Sequence, residues 1–369
     1  MGIKGLPGLI EKKAGSAAIK DYDVKRFRNM RIAVDAPLLM YQTVIAIRHS
    51  KGEDFKNESG QLTSHLYGIF YKIINMISAG IIPIFVFDGR SPDLKNKTLH
   101  ERRERKIKAE ESAKKSLEEN NITEYIKHFK KTFTPTSSDY REYKRMLELM
   151  GIPYIDAPGE AEAVCAWLAA RYDENGKRYV KGVCTEDSDV LALGSPYMFK
   201  NMSSLMNKKR KRNKGGSDIR VISLNKARKA MGLTQEQFID LCILLGCDYC
   251  DTIPKLGPIR SYEWLIKYGS LENIFQHYRK KYPEEVIEEE CMLAAKKYFN
   301  TALNDLDKND SFKVSTESLS LKPMMHDELI DFMCKKHGFN QSKIENVINR
   351  IETDYSVLRI DKKNQISYQ

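Results

Sequence analysis

Three stretches of the chain run apolar and then stop on acid: Arg31-Ile-Ala-Val-Asp35, Ile81-Ile-Pro-Ile-Phe-Val-Phe-Asp88 and Gly182-Val-Cys-Thr-Glu-Asp187-Ser-Asp189. Runs of aliphatic and aromatic residues without polar alternation are the signature of strands buried on both faces. An acid at the end of each places carboxylates at the carboxyl edge of a parallel sheet, where open α/β sheets bind their ligands. Helix-like segments separate the runs, through Leu38-Leu-Met-Tyr41 and again from His65 to Lys72. The alternation resumes at Tyr140 with a helix to Met150, a short strand over Gly151-Ile-Pro-Tyr-Ile155 and a helix opening at Pro158-Gly-Glu160. This order predicts an α/β fold with a central, mostly parallel twisted sheet flanked by helices.

Between and after these units the pattern changes. From Ser91 to about Pro135 long charged residues dominate, among them Lys95, Lys97, Arg102, Arg103, Arg105 and Lys106, and no strong apolar stripe runs through them. That segment is predicted helical by propensity and weakly anchored to any core. Thr234-Gln-Glu-Gln237 reads as a capping box, and the helix behind it carries Phe238, Leu241, Cys242 and Leu245 on one face before delivering Asp248. After Gly257-Pro258 a second helix runs to Tyr268; beyond 271 the sequence is helical and charged, with a last helical pair around Asp327 to Cys334 and Gln341 to Ile351. The divisions expected are 1–90 and 138–270 for two halves of a core, 91–137 for a helical insertion, 271–352 for a C-terminal helical region and 353–369 for a tail.

Lysine and arginine outnumber aspartate and glutamate 61 to 50, a net charge of +11, although acids crowd the predicted sheet edge. The surplus positive charge therefore lies elsewhere, which suits a polyanion held by a basic surface over an acidic pocket. Seven cysteines, an odd number, form no disulfide framework and point to a reducing compartment. Cys247-Asp-Tyr-Cys250 lacks a second ligand pair, so the thiols read as small core side chains, not a zinc site. Neither a membrane span nor a signal peptide is expected. Lys208-Lys-Arg-Lys-Arg212 sits in a basic loop that reads equally as an import signal, a DNA-touching finger or a hairpin tip.

Glu160-Ala-Glu162 and Asp187-Ser-Asp189 are acid-x-acid pairs, each weak alone because such pairs are common caps and turns. With Asp35, Asp88 and Asp248 they make the set of oxygen ligands that a two-metal phosphodiester hydrolase needs. The motifs Met1-Gly-Ile-Lys-Gly-Leu6, Ala33-Val-Asp35-Ala, Val86-Phe-Asp88-Gly, Gly151-Ile-Pro-Tyr-Ile-Asp-Ala-Pro-Gly-Glu160-Ala-Glu162-Ala, Thr185-Glu-Asp187-Ser-Asp189 and Leu244-Leu-Gly-Cys-Asp248-Tyr-Cys closely resemble the flap endonucleases, the structure-specific 5′ nucleases of the XPG superfamily. The likeness runs from residue 1 to about 351.

The resemblance implies a PIN-like 5′ nuclease fold with a helical gateway and cap at 91–137 and a helix-two-turn-helix DNA-binding region. It implies 5′ flap cleavage with 5′ to 3′ exonuclease activity in replication and repair, as in Okazaki fragment maturation and long-patch base excision repair. The sister exonucleases and Holliday-junction resolvases of the superfamily, and a DNA-binding scaffold without catalysis, are the alternatives. Asp35, Asp88, Glu160, Glu162, Asp187, Asp189 and Asp248 match the carboxylates that hold two Mg²⁺, with Mn²⁺ as a substitute. Lys95 and Arg102 match cations that reach the scissile phosphate. Gly2, Tyr41, Arg48, Lys72, Lys130, Lys131, Gly246, Gly257 and Arg260 match DNA-contacting positions, Glu160 and Asp248 lying close to the same strand. Branched DNA with a 5′ flap is the implied partner, in the nucleus of a cell or the replication compartment of a large DNA virus. Two departures stand out. Pro254, Lys255 and Ile259 replace residues that help the family's turn hold a monovalent cation and duplex phosphates, so that site is expected to be weakened. Asn364-Gln-Ile-Ser-Tyr-Gln369 contains no glutamine-led aromatic box, so sliding-clamp docking is not expected.

Overall fold

A computed structural model describes residues 2–202 and 218–360; the basic loop and the last nine residues of the chain lie outside that range. Seven strands form one sheet: β1 (Ile19–Asp23), β2 (Arg31–Asp35), β3 (Ile82–Phe87), β4 (Tyr154–Asp156), β5 (Val183–Cys184), β6 (Tyr197–Lys200) and β7 (Asp218–Ser223), in the order β1-β7-β6-β5-β2-β3-β4. β6, β5, β2, β3 and β4 are mutually parallel, and β7 runs antiparallel to β6 and β1. Every residue of β3 is buried, as is Ile32 to Asp35 of β2, which is why both read as unbroken apolar runs.

In chain order, the first helices are α1 (Leu6–Ala14), α2 (Ala36–Lys51) and α3 (Ser64–Ser78). The apolar stripe of α3, with Leu66, Ile69, Phe70, Ile73 and Ile77 fully buried, packs on β3. The charged segment follows as α4 (Asn96–Glu118) and α5 (Ile122–Phe129), then α6 (Ser137–Leu149), α7 (Ala161–Ala170) and the short α8 (Asp189–Ala192). α7 packs on β2 and β3, with seven of its apolar residues buried from Ala163 to Ala169. The expectation of weak anchoring holds for α4, where only Ala109, Ala113 and Ser116 are buried while Leu99, Ile107 and Leu117 stay exposed. Its first turn is tied instead by polar contacts: Thr98 Oγ1 donates to the Asp248 carbonyl (2.6 Å), and Lys97 Nζ bonds Glu288 (3.0 Å) and Asp251 (2.9 Å).

α9 (Leu224–Met231), α10 (Gln235–Leu245) and α11 (Pro258–Tyr268) come next. The capping box forms as predicted, Thr234 Oγ1 accepting from the Gln237 amide (3.1 Å) and Gln237 Oε1 from the Thr234 amide (3.0 Å). α12 (Leu271–Lys281), α13 (Glu289–Asp307), α14 (His326–Ile330), a π-helical turn over Asp331–Lys336 and α15 (Gln341–Ile360) are the last elements among the described residues. The expected tail boundary at 353 falls inside α15. Ile344, Ile348, Ile351, Tyr355 and Leu358 continue one buried stripe at alternating spacings of three and four, and the Tyr355 hydroxyl donates to the carbonyls of Met150 (2.7 Å) and Lys322 (2.8 Å). Polar Thr353, Asp354 and Ser356 hid that stripe in the sequence. No helix among the described residues is long and apolar enough to cross a membrane.

Candidate active site

Register brings the acids to one edge. Asp35 ends β2 opposite Val86, so β3 carries on past it to Asp88; β5 pairs with the other side of β2, Cys184 against Val34, and the chain runs on to Asp187 and to Asp189 at the start of α8. Glu160 caps α7 and Glu162 lies in its first turn, and the Ala161 amide donates to Asp88 Oδ1 (2.8 Å), which fixes that helix mouth against the end of β3. Asp248 follows α10 and meets Arg102 Nη2 at 2.5 Å.

The charges on this edge act on one another. Burial first, then Asp88 and Asp187, push the Asp35 carboxyl up to about 8, while the Leu38 amide, donating at 3.0 Å, pulls the other way. Burial likewise raises Asp88, Asp187, Glu162 and Asp189, the last two well above the ordinary range, with neighbouring carboxylates adding to the shift in each. Asp88 itself is solvent-accessible, crowded on its other sides by protein. Lys95 enters from the foot of α4 and is 8 % exposed; Nζ bonds Glu160 and lies 3.5 Å from Asp248 Oδ2. Burial pulls the Lys95 pKa down, but Glu162 and Glu160 outweigh it and hold the ammonium charged.

The donor set is all oxygen and carries several charges that repel, which suits hard divalent cations. Asp189 Oδ1 is buried with no hydrogen-bond partner among the described residues, an acceptor still open to a cation. As the side chains stand, no three acidic, histidine or cysteine groups among the described residues surround a point closely enough to hold an ion. Each of several acids is turned to another donor: Asp35 to the Leu38 amide, Asp88 to Ala161, Asp187 to the Asp189 amide (3.0 Å), and Glu160 to Lys95 and the hydroxyls of Tyr249 and Tyr298.

Other expected contacts divide. Gly2 lies on the edge: at φ +78°, a Cβ there would stand 2.1 Å from Asp187 Oδ1. Tyr41 is half-buried and stacks on Phe133 with centroids 6.3 Å apart, while Lys130 and Lys131 follow α5. Gly246, at φ +81°, leaves α10 and accepts from the Lys4 amide (3.1 Å). Gly257 caps α11 and is exposed, as is Arg260, whose Nη1 donates to the Lys255 carbonyl (2.7 Å). Lys255 keeps the left-handed turn, φ +63°, although it is not glycine; Nζ pairs with Glu285 (2.6 Å) and lies over the Tyr282 ring.

Arg48 and Lys72, expected on a duplex-binding surface, are instead 6 % and 8 % exposed. Arg48 pairs with Asp54 (2.7 and 2.8 Å), donates to the Phe129 carbonyl (3.0 Å) and Thr132 Oγ1 (3.0 Å), and lies over the Phe129 ring, clamping α5 onto α2. Burial pulls the Lys72 pKa down to about 8, with only the nearby Cys184 working against it. Neither side chain faces open solvent. Sequence reading also passed over Tyr249, Tyr298 and Thr98, which brace Glu160 and Asp248. Tyr249 could have been suspected beside Asp248; nothing marked Tyr298, far along the chain in α13.

Two family profiles match, the XPG N-terminal domain over residues 1–109 and the XPG I-region over residues 151–248, which defines the class as an XPG nuclease. Flap endonuclease 1 of Xenopus tropicalis is 39 % identical over 352 residues, 94 % of this chain and 85 % of that protein. Among solved structures, the flap endonuclease-1 of Methanococcus jannaschii is similar with a TM-score of 0.65 at 28 % identity, covering 92 % of this chain and 96 % of that one. The catalytic core of Rad2, solved in complex with a DNA substrate, gives a TM-score of 0.63 at 25 % identity over 95 % of this chain and 100 % of its own. The chain belongs to the flap endonuclease family, whose members are nucleases and generally depend on metal ions.

Proposed function

We infer that the chain is a structure-specific 5′ flap endonuclease with 5′ to 3′ exonuclease activity, acting on branched DNA in replication and repair. The single observation that supports this reading most is the meeting of crowded carboxylates from the ends of β2, β3 and β5, the starts of α7 and α8 and the end of α10 with two cations from the foot of α4.

Asp35, Asp88, Glu160, Glu162, Asp187, Asp189 and Asp248 would hold two Mg²⁺ ions, with Mn²⁺ as a substitute. Those ions, when bound, supply an activated hydroxide and neutralise charge on the leaving oxygen. The protein's share is positional. Lys95 and Arg102, freed from Glu160 and Asp248 once the acids have cations of their own, present fixed positive charge to the phosphoryl oxygens as their charge grows. Tyr249 and Tyr298 hold Glu160 in place through its other oxygen. Tyr41 offers a ring to a base beside the cut, a contact indifferent to sequence. Gly2, Lys130, Lys131, Gly246, Gly257 and Arg260 are assigned to the DNA backbone, with a monovalent cation at the 253–260 turn a weaker assignment. Kinship with eukaryotic relatives favours the nucleus.

Cleavage of an end-labelled double-flap substrate in Mg²⁺, mapped at nucleotide resolution, tests the reading. The expected product comes from a cut at the base of the 5′ flap and disappears with EDTA. Cutting confined to four-way junctions would transfer the chain to the resolvase branch, and no cutting of any substrate in Mg²⁺ or Mn²⁺ would leave a DNA-binding scaffold.

A further inference from the structure

A separate cavity of about 200 Å³ opens at the amino ends of the parallel strands, where Tyr197 begins β6 and Lys181 precedes β5; the acids follow the carboxyl ends. Its floor is apolar. Lys20 of β1 stands opposite Val221 of β7, and Val221 opposite Phe199 of β6, so the three share one face of the sheet; buried Phe27 meets the Phe199 ring there, centroids 5.2 Å apart. Alternation along β1 then sorts the charge. Lys20 and Tyr22 line the cavity, whereas Asp21 accepts from Arg220 Nε (3.0 Å) and Asp23 from the Lys25 amide (2.8 Å), away from it. Arg26, Lys181 and Lys226 complete a rim of exposed cations, and no acidic residue among those described lines the cavity. None of these cations makes an ion pair with a carboxylate among the described residues. Two half-buried rings stand between them: Arg26 Cζ lies 4.6 Å from the centroid of Tyr22, and Lys181 Nζ 5.2 Å from that of Tyr197.

We propose that this cavity is a second, non-cleaving site for single-stranded DNA, which takes one base against Tyr22 or Tyr197 and the flanking phosphates on Lys20, Arg26, Lys181 and Lys226. Cations interleaved with aromatic rings suit a single strand, because every base offers a face to stack and every link a charge. The volume falls below the roughly 300–1,000 Å³ of small-molecule pockets, so one ring enters and the rest of the ligand stays on the rim. Duplex does not fit, since its bases would have to be flipped out to reach the apolar floor. A base stacked on a ring outweighs an exposed cation–π contact, so it displaces Arg26 or Lys181 towards the phosphate that it brings. Distance from the acids along the sheet means that this strand is held and not cut. The choice of DNA rests on the flap endonuclease reading; the cavity's preference for a base with its phosphates does not.

A short labelled oligothymidylate carrying one 5-iododeoxyuridine tests the proposal, irradiated with the full chain in Ca²⁺ while excess unlabelled flap substrate occupies the cleaving edge. The expected crosslink falls on the peptide holding Tyr22 or the one holding Tyr197. Under the same competition Tyr22→Ala should weaken binding of the oligonucleotide by about fivefold or more, and Tyr22→Phe, which keeps the ring, should not. Lys226→Ala, an exposed change that leaves the fold alone, should lower the slope of log affinity against log salt by about 0.7. All three variants should cut a short-flap substrate at the parent rate. Crosslinks confined to other peptides, or parent affinity and salt slope in both alanine variants, overturn the proposal. Thymidine monophosphate binding as tightly as the strand would make this a free-nucleotide site, and a polyglutamate peptide that binds more tightly than the strand would make it a dock for acidic protein; either result overturns it. A chain that gives the expected crosslink but cuts no flap substrate removes the flap endonuclease reading and leaves this site standing.

Discussion

The sheet edge and the basic arm of α4 and α5 are held in place by opposite means. The edge is positioned by burial: β2 and β3 are set by aliphatic packing, and Asp35 at the end of β2 sits out of water, its carboxyl raised by that burial and by Asp88 and Asp187. The arm buries little, and its foot is positioned by the edge itself, through Lys95, Lys97, Thr98 and Arg102 on Glu160, Asp251 and the two ends of Asp248. Strain in one region thus becomes order in the other. Carboxylates that burial would otherwise protonate recruit the arm's cations, and anything that satisfies the carboxylates releases those cations to a phosphodiester.

The largest effect should come from the edge. Asp189→Ala or Asp88→Ala is expected to slow flap cleavage by at least about 10³-fold, roughly 4 kcal/mol of barrier, while flap binding in Ca²⁺ changes little. Full cleavage by either variant would reject the assigned ligands.

Next comes the far end of the arm. Arg48→Ala leaves Asp54 unpaired and removes the clamp of α5 on α2, a loss of about 3 kcal/mol on the scale of broken buried pairs. Proteolysis should then open the chain between 119 and 136 before the core melts, and Arg48→Lys should not restore protection, because ammonium cannot make the forked contacts. Equal protease resistance in parent and variant would mean that α5 has another anchor.

Arg102→Ala or Lys95→Ala should cost about 10²-fold in single-turnover cleavage, near 2.7 kcal/mol, and less in binding. Equal losses in rate and affinity would make these residues mere DNA anchors and break the link drawn between arm and edge.

The same contrast explains what could be read from the chain. The edge was legible because apolar runs ending at Asp35, Asp88 and Asp187 carry both the strand and the site, and the capping box at Thr234 announced α10. The arm's helices were legible only as propensity, since contacts such as Thr98 to the Asp248 carbonyl join residues 150 apart and leave no periodicity. Arg48 shows what the sequence leaves out: a basic residue there gives no sign that Asp54 and the Phe129 carbonyl are folded against it. Tyr298 bracing Glu160 across 138 residues is invisible for the same cause.

The smallest prediction isolates the strain at the edge. An acid whose pKa is raised on folding favours the folded state while it keeps its proton. That contribution is complete below about pH 4, the unfolded value, and drains away as pH rises towards about 8, where folded Asp35 ionises. His65 works against this trend, since burial lowers its pKa to about 4 and its contribution is lost as pH falls from about 6.5. The measurement is therefore a difference: melting of the parent chain and of Asp35→Asn in EDTA, at pH 5 and pH 8. Asparagine can still accept from the Leu38 amide but carries no charge, so the variant should gain on the parent as pH rises, by about 1 kcal/mol or more, and Mg²⁺ should narrow the gap by stabilising only the parent. A difference that stays flat with pH would show that Asp35 carries no excess of repulsion, and the basic arm would need some other reason to lie where it does.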